Sequence, residues 1–382
     1  MDKFEYCLDG LPARMETVES LNQMLEHMEN AGGSDLFVMG GSEVWMSLYG
    51  KKVRVTKRKL SDKEVESLLI AVDGTAASGK IGSGKPINTA HEFKTQVDVG
   101  KTTRHRFRVN AVGCLRGGRK TITMTLRTIP TTPKHHSELG IEEDILRVCR
   151  LADQGLILVV GATGNGKSTL LSSILRDQVE DPEGHRNLIT IEEPIEFVYD
   201  DIDKPTSFVS QLEVGRDVSS FGEGVINSLR MAPTTILIGE ARDYETVSSA
   251  LEASVTGHVV FSTVHANSVA ETFERLVAVF PENLKDKARY ELIQSIKMIV
   301  AQRLIPTTDG KRTAIREYLE MTHEVKEFLM RESNLTLGAF HAVETFGRSM
   351  MMDVEEKFQE GVISENTYLR QKANYEREKG SA

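Results

Sequence analysis

The spacing of apolar residues changes character along this chain. In residues 16–31, Val18, Leu21, Met24, Leu25 and Met28 share one helical stripe, and Gly32-Gly33 ends it. Residues 35–38 and 43–48 read as strands joined at Gly40-Gly41, with Tyr49-Gly50-Lys51 as the next turn. Ser61-Asp-Lys-Glu64 has the form of a capping box and predicts a helix over 62–72. Between 101 and 134, polar and apolar residues alternate on both sides of Gly117-Gly118, which predicts two paired strands. These signals describe a small α+β domain. Residues 129–140 carry two prolines and few apolar side chains, as a linker would.

Beyond 140 the pattern alternates helix and strand. Helices are predicted at 141–152, 225–231 and 243–254, and apolar strands at 156–160, 188–191, 235–238 and 258–262. That order predicts a parallel sheet with helices on its faces. After 269 the chain reads as mostly helical, over 269–279, 284–303, 322–332, 347–358 and 364–378, with a short strand at 316–319. The expected organisation is a domain at 1–130, a linker at 131–140, an α/β domain at 141–320 and a helical region at 321–382.

Chemistry enters with the strand at 156–160. It runs into Gly161-Ala162-Thr163-Gly164-Asn165-Gly166-Lys167-Ser168-Thr169, and a helix follows. Glycines let the backbone curl so that N–H groups converge on phosphate oxygens, at a helix start whose dipole favours an anion. A lysine then meets the outer phosphates and a hydroxyl the metal. The pattern predicts nucleotide binding, with Lys167 on the β- and γ-phosphates and Ser168 on Mg²⁺. Gly79 to Lys85 also fits Gly-x-x-x-x-Gly-Lys, but Pro86 replaces the hydroxyl and no strand precedes it, so it reads as a loop. In a parallel sheet, ligands lie at the C-terminal strand ends. That rule brings Glu192, Glu193, Glu240 and His265 to the P-loop edge. Glu240 would orient the attacking water, Glu192 and Glu193 would hold Mg²⁺ or share that work, and His265 is placed to sense the γ-phosphate. Acidic residues after strands also cap helices, and that alternative stands for Glu192 or Glu193.

Bulk composition changes this picture little. The formal net charge of −9 over 382 residues excludes a broadly nucleic-acid-coating surface. Cys7, Cys114 and Cys149 lack paired spacing, which predicts neither a disulfide framework nor a zinc site. The acidic N-terminus does not read as a secretory signal, and no apolar run is long enough for a membrane span. Locally, residues 101–134 hold nine Lys or Arg and no Asp or Glu. A solvated sheet face, a nucleic-acid groove, an acidic lipid or partner contact, and arginines presented to phosphates all fit that stretch, the groove least because Phe107 is its one aromatic residue.

Four ordered segments together resemble the secretion and pilus motor ATPases of the PilT type. Gly161 to Thr169 resembles their Walker A, Thr190-Ile-Glu-Glu-Pro-Ile-Glu-Phe197 their Asp box, Ile238-Gly-Glu-Ala-Arg-Asp243 their Walker B, and Thr256 to His265 their His box. Ser34-Asp-Leu-Phe and Arg106-Phe-Arg-Val-Asn110 resemble their first domain. Two positions depart: Glu193 stands where an aspartate is usual, and Ala241 where retraction motors usually have methionine. Asp309 to Tyr318 is similar to the DotB and TraJ branch. The resemblance implies a RecA-like P-loop ATPase domain after a small PAS-like α+β domain, with a helical C-terminal extension. It implies ATP and Mg²⁺, the ion near Ser168, Glu192, Glu193 and Glu240. It also implies a homo-hexamer in which Arg106, Arg108 and Arg116 reach phosphates from another domain. The expected role is to power type IVB secretion or conjugation from the cytoplasm, on inner-membrane apparatus proteins. Pilus retraction is the alternative, and a nucleic-acid translocase or an ATP-binding scaffold are readings from other classes.

Overall fold

The computed structural model describes residues 4–98 and 101–381, and the chain divides into two compact units. The first runs to Thr131 and includes Glu193–Phe197; the second holds Thr132–Glu192 and everything from Val198 onward.

In the first unit the chain forms α1 (Val18–Asn30), β1 (Gly33–Met39), β2 (Trp45–Leu48), β3 (Lys51–Arg54), α2 (Asp62–Asp73), α3 (Ala77–Gly82), β4 (Ile87–Asp98), β5 (Lys101–Arg116) and β6 (Arg119–Thr128). The sheet order is β3-β2-β1-β6-β5-β4, with every pair antiparallel. Four residues of the predicted α1 stripe, Leu21, Met24, Leu25 and Met28, are fully buried in one core with Leu36, Phe107 and Val109, while Val18 at the start of the helix is half-buried. Ser61 and Glu64 make the reciprocal capping box of α2. The turn at Gly117-Gly118 takes φ of 54° and 78°, the doubly left-handed form that suits a hairpin. Two expectations change. Residues 79–82 of the segment expected to be a loop belong to the short α3. Strand β4 carries no alternation of apolar residues, because its inward positions include Thr89 and His91, and the sequence pattern predicts no strand there.

The second unit begins with a 3₁₀ turn (His136–Leu139), then α4 (Glu143–Leu151), β7 (Gly155–Val160), α5 (Lys167–Glu180), β8 (Asn187–Glu192), β9 (Phe208–Glu213), α6 (Phe221–Ser228), β10 (Thr235–Ile238), α7 (Tyr244–Val255), β11 (Val259–Val264), α8 (Val269–Ala278), α9 (Lys285–Ser295), β12 (Ile296–Pro306) and β13 (Arg312–Glu320). Helices α10 (His323–Arg331), α11 (Leu335–Phe346), α12 (Met350–Gln359) and α13 (Glu365–Ser381) complete it. The sheet order is β13-β12-β7-β11-β10-β8-β9, parallel except for the β12–β13 pair. Strand β7 lies inside the sheet and is buried on both faces. Leu156, Leu158 and Val160 enter one core, with α7 and α8, while Ile157 and Val159 enter another, with α5. Such a strand must be apolar throughout, which is why it was readable. Residues from α10, α11 and α12 join the first of these cores, so the C-terminal helices pack on the sheet domain.

The predicted helix over 284–303 is corrected. It ends at Ser295, and residues 296–306 are strand β12, paired to β7. An apolar run buried on both faces has no period to separate strand from helix. Helix α11 falls between the predicted helices over 322–332 and 347–358.

Candidate nucleotide-binding site

Four parallel strands end at the same edge because their registers align. Val160 of β7 pairs with Val264 of β11, while Ile238 of β10 pairs with Ser262 of β11 and Ile191 of β8. The P-loop leaves the first of these ends, and Glu240, His265 and Glu192 lie at or just beyond the others.

Loop geometry follows from its glycines. Gly161 has φ of 154°, and a Cβ there would stand 2.5 Å from the Gln302 carbonyl oxygen. A side chain would push the loop off β12. Gly166 is left-handed, with φ of 74°, and forms the N-cap of α5. Lys167, Ser168 and Thr169 then occupy the first helical turn. Lys167 is buried and folds back, its Nζ donating to the Gly161 carbonyl at 2.8 Å and the Ala162 carbonyl at 3.3 Å. Ala162, Thr163 and Gly164 are exposed, so the loop crest faces solvent.

The loop is held from β12. Gln302 Nε2 donates to the carbonyls of Asn165 at 2.8 Å and Gly166 at 3.0 Å, and the Leu304 amide donates to Asn165 Oδ1. The other end of the Gln302 amide accepts from Arg316 Nε at 2.9 Å. Arg316, 3% exposed, also donates to the Gly140 and Leu139 carbonyls and to Glu142 Oε2. Neither Gln302 nor Arg316 was singled out from sequence, since assigning 284–303 to a helix hid the approach of β12 to the loop.

At the other strand ends, Glu240 Oε1 stands 3.5 Å from His265 Nε2, both side chains partly exposed. The turn after β10 is braced by Thr263 Oγ1 donating to the Gly239 carbonyl at 2.6 Å, Ala241 N to Thr263 O, and Ser262 Oγ to Ile238 O. Glu192 is buried and accepts from Thr190 Oγ1 at 2.8 Å and Gln211 Nε2 at 3.4 Å. Burial, and then the Glu192 charge, push the Tyr199 phenol well above its usual range; its hydroxyl donates to the Ser172 carbonyl. Glu193 is exposed and starts the segment that groups with the first unit.

That segment absorbs one predicted arginine. Arg106 on β5 is 3% exposed and donates to the carbonyls of Glu196 and Ile195, both at 2.8 Å, and to Glu92 Oε2. In this chain the guanidinium is buried, held by those two backbone carbonyls and by the Glu92 carboxylate. Arg108 pairs with Glu196 Oε1 at 2.6 Å with its side chain 43% exposed, and Arg116 donates to the Gly40 carbonyl. Cys149 is buried, and burial pushes its thiol up to about 12.

The residues fit a magnesium nucleotide. Mg²⁺ keeps waters and takes one or two protein ligands plus substrate phosphates rather than an all-protein cage. Among the described residues no group of three or more His, Cys, Asp or Glu is arranged to hold an ion. A hydroxyl at the start of α5 and a carboxylate at a strand tip are the donors such an ion uses.

A doubly covered parallel sheet with a P-loop on an interior strand and carboxylates at the tips of two further strands, β8 and β10, defines a P-loop nucleotide-binding protein. Residues 19–311 match the family described as Type II/IV secretion system protein, and the chain belongs to that family. It is 34% identical over 354 residues to the type IV pilus retraction ATPase PilT of Pseudomonas aeruginosa, covering 92% of this chain and 96% of that one. Among solved structures it is similar to the Legionella pneumophila ATPase DotB, with a TM-score of 0.88, 38% identity, and 95% and 97% of the two chains covered. It is also similar to the pilus retraction motor PilT with bound ADP, with a TM-score of 0.75, 28% identity, and 92% and 96% covered.

Proposed function

We propose that this chain is the ATP-hydrolysing motor of a type IVB secretion or conjugation machine, working as a hexameric ring at the cytoplasmic face of the inner membrane. ATP hydrolysis is the family activity. The observation that carries the catalytic assignment is the alignment of the P-loop, Glu192, Glu240 and His265 along one sheet edge.

Lys167 and the loop amides bind the β- and γ-phosphates. Ser168, with Glu192, Glu193 and Glu240 as the nearby carboxylates, would hold Mg²⁺, which supplies charge neutralisation on the phosphates. Glu240 orients a water and accepts its proton as the water oxygen attacks the γ-phosphorus; the bond to the β–γ bridging oxygen breaks and ADP leaves. His265, 3.5 Å from Glu240, holds that carboxylate and faces the departing phosphate. Arg108 and Arg116, on a first domain contributed by another subunit, offset charge on the phosphates. Release of those contacts is what a ring converts into motion between domains.

Glu240→Gln tests the assignment. The variant is expected to bind ATP normally and to lose about 10²- to 10⁴-fold in turnover, the span of general-base catalysis. Full turnover would remove Glu240 from that role.

Likeness to PilT supports a second reading as a pilus retraction motor. Complementation of secretion-deficient and retraction-deficient strains separates the two. Strong stimulation of turnover by single-stranded DNA, with steep salt dependence, would instead favour a nucleic-acid translocase.

A further inference from the structure

The guanidinium of Arg316 joins two segments that lie far apart in the chain. One is the stretch up to residue 142 with which the second unit opens, and the other is the P-loop. The opening stretch is fastened to the body of α5 at two points. Arg176 Nη1 donates to the Pro133 carbonyl at 2.8 Å, and His136 Nε2 stands 3.4 Å from Asp177 Oδ1. A third attachment runs to the loop itself. Arg316 Nη2 donates to the Leu139 carbonyl, Nη1 to the Gly140 carbonyl and Glu142 Oε2, and Nε to Gln302 Oε1.

This path has little slack. A guanidinium can only donate, so the end of the Gln302 amide that faces it must be the oxygen. The amide nitrogen is thereby committed to the loop, where the Asn165 and Gly166 carbonyls can only accept. Guanidinium and carboxamide are both planar, so neither turns toward one partner without leaving the other. Arg316 is also too buried for water to replace those partners.

The two carbonyls matter because each shares a trans peptide plane with a loop amide. The Asn165 carbonyl is paired in this way with the Gly166 N–H, and the Gly166 carbonyl with the Lys167 N–H. In a trans peptide the two groups point in opposite directions, so a carbonyl drawn toward Gln302 aims its N–H away from β12. That is the side on which a phosphate meets the start of α5.

We propose that Arg316 is a positioning residue: through Gln302 it aims the P-loop amides, and it ties their position to residues 139–142. This rests on the nucleotide-binding reading of the P-loop. Coupling between two sites is reciprocal. Phosphate in the loop therefore stiffens residues 139–142, and a pull on those residues weakens the hold on phosphate.

Hydrogen exchange of the full-length protein, with and without magnesium tripolyphosphate, tests this. The ligand has no base or ribose, so slower exchange at residues 137–142 cannot come from contact with a nucleoside. In the wild type, saturating ligand is expected to slow exchange there about fivefold or more, the lower end of usual coupling between sites. Arg316→Lys keeps a charge against Glu142 but lacks the fork that reaches Gln302 and Leu139 together. Gln302→Glu keeps an acceptor for Arg316 and loses the donor to the loop. Both variants should lose the slowing and bind tripolyphosphate and ADP roughly tenfold more weakly in calorimetry. Both should also raise KM for ATP more than they lower kcat. A purely structural role would lower the melting temperature and leave the ligand-dependent slowing in place. Slowing that persists in both variants, slowing absent from the wild type, or unchanged affinity would each overturn the proposal. Should Arg316→Lys fail to fold, Gln302→Glu alone decides. If Lys167→Ala left tripolyphosphate affinity intact, the P-loop reading itself would fail; if it abolished binding while both other variants behaved as wild type, only the role of Arg316 would.

Discussion

Lys167 shows how a phosphate-binding loop keeps its charge ready. Its Nζ rests on two of the loop's own carbonyls, 2.8 and 3.3 Å away, in a buried position. A phosphate that displaces those carbonyls gives the ammonium an anionic acceptor in place of neutral ones, adding ion-pair attraction to a hydrogen bond that is already charge-assisted. Lys167→Ala is therefore expected to lose about 100-fold or more in kcat/KM, from contacts of roughly 1.5–3 kcal/mol each, with the fold unchanged by circular dichroism. Titration of nucleotide into both proteins checks it. Arg106 illustrates the opposite case. Its residue type suggested a phosphate contact, but two backbone carbonyls of residues 195 and 196 take its donors. A sequence shows that a guanidinium exists; it does not show what the guanidinium already holds.

Among the elements, β12 carries more of the site than its sequence suggested. It sits beside β7, and Gln302 reaches from it to hold the loop from below. Gln302→Ala removes two donors to the loop and leaves the buried Arg316 Nε without its acceptor. The expected cost is about 1–3 kcal/mol of stability, with KM for ATP raised about tenfold. Thermal melts with and without nucleotide, alongside steady-state kinetics, check both parts.

Helix α2 supports a prediction about pH. Burial would raise the Glu64 carboxyl, but hydrogen bonds from Arg58, the Met15 amide and Ser61 outweigh it and hold the group at about 2. A group depressed in the folded state stabilises fully above its unfolded pKa of about 4.3, and that contribution disappears as pH falls toward 2. Glu64→Gln should therefore destabilise the first unit at pH 7, and the deficit should shrink between about pH 4.5 and 2. Denaturant melts of both proteins across that range check it. The helix itself was legible, since Ser61 and Glu64 signal a cap within four residues. Strand β4 was not, because Thr89 and His91 occupy its inner face, and burial of polar residues is decided by partners such as Asn22, which hydrogen-bonds His91 from α1.

For the molecule as a whole, the proposed ring makes a quantitative claim. If a site takes arginines from a neighbouring subunit and subunits act in turn, catalytically dead Glu240→Gln chains mixed into wild-type protein should lower turnover more than in proportion to their fraction. A strictly proportional fall would point to independent subunits. No helix among the described residues is long and apolar enough to cross a membrane.

The sequence alone determined the features whose physics is local: the strand–loop–helix that binds phosphate, the capping box of α2, the glycine hairpin at 117–118, and the order of alternating elements that implies a parallel sheet. It also placed Glu192, Glu240 and His265, because one rule about strand ends sufficed. Tertiary structure decided whatever depended on a partner distant in the chain. It made residues 296–306 a strand, since an apolar run takes its form from the strand it pairs with. It turned Arg106 inward and tied Gln302 and Arg316 beneath the loop. Contacts between residues some ninety or more positions apart leave no period in the sequence, and only the folded chain brings them together.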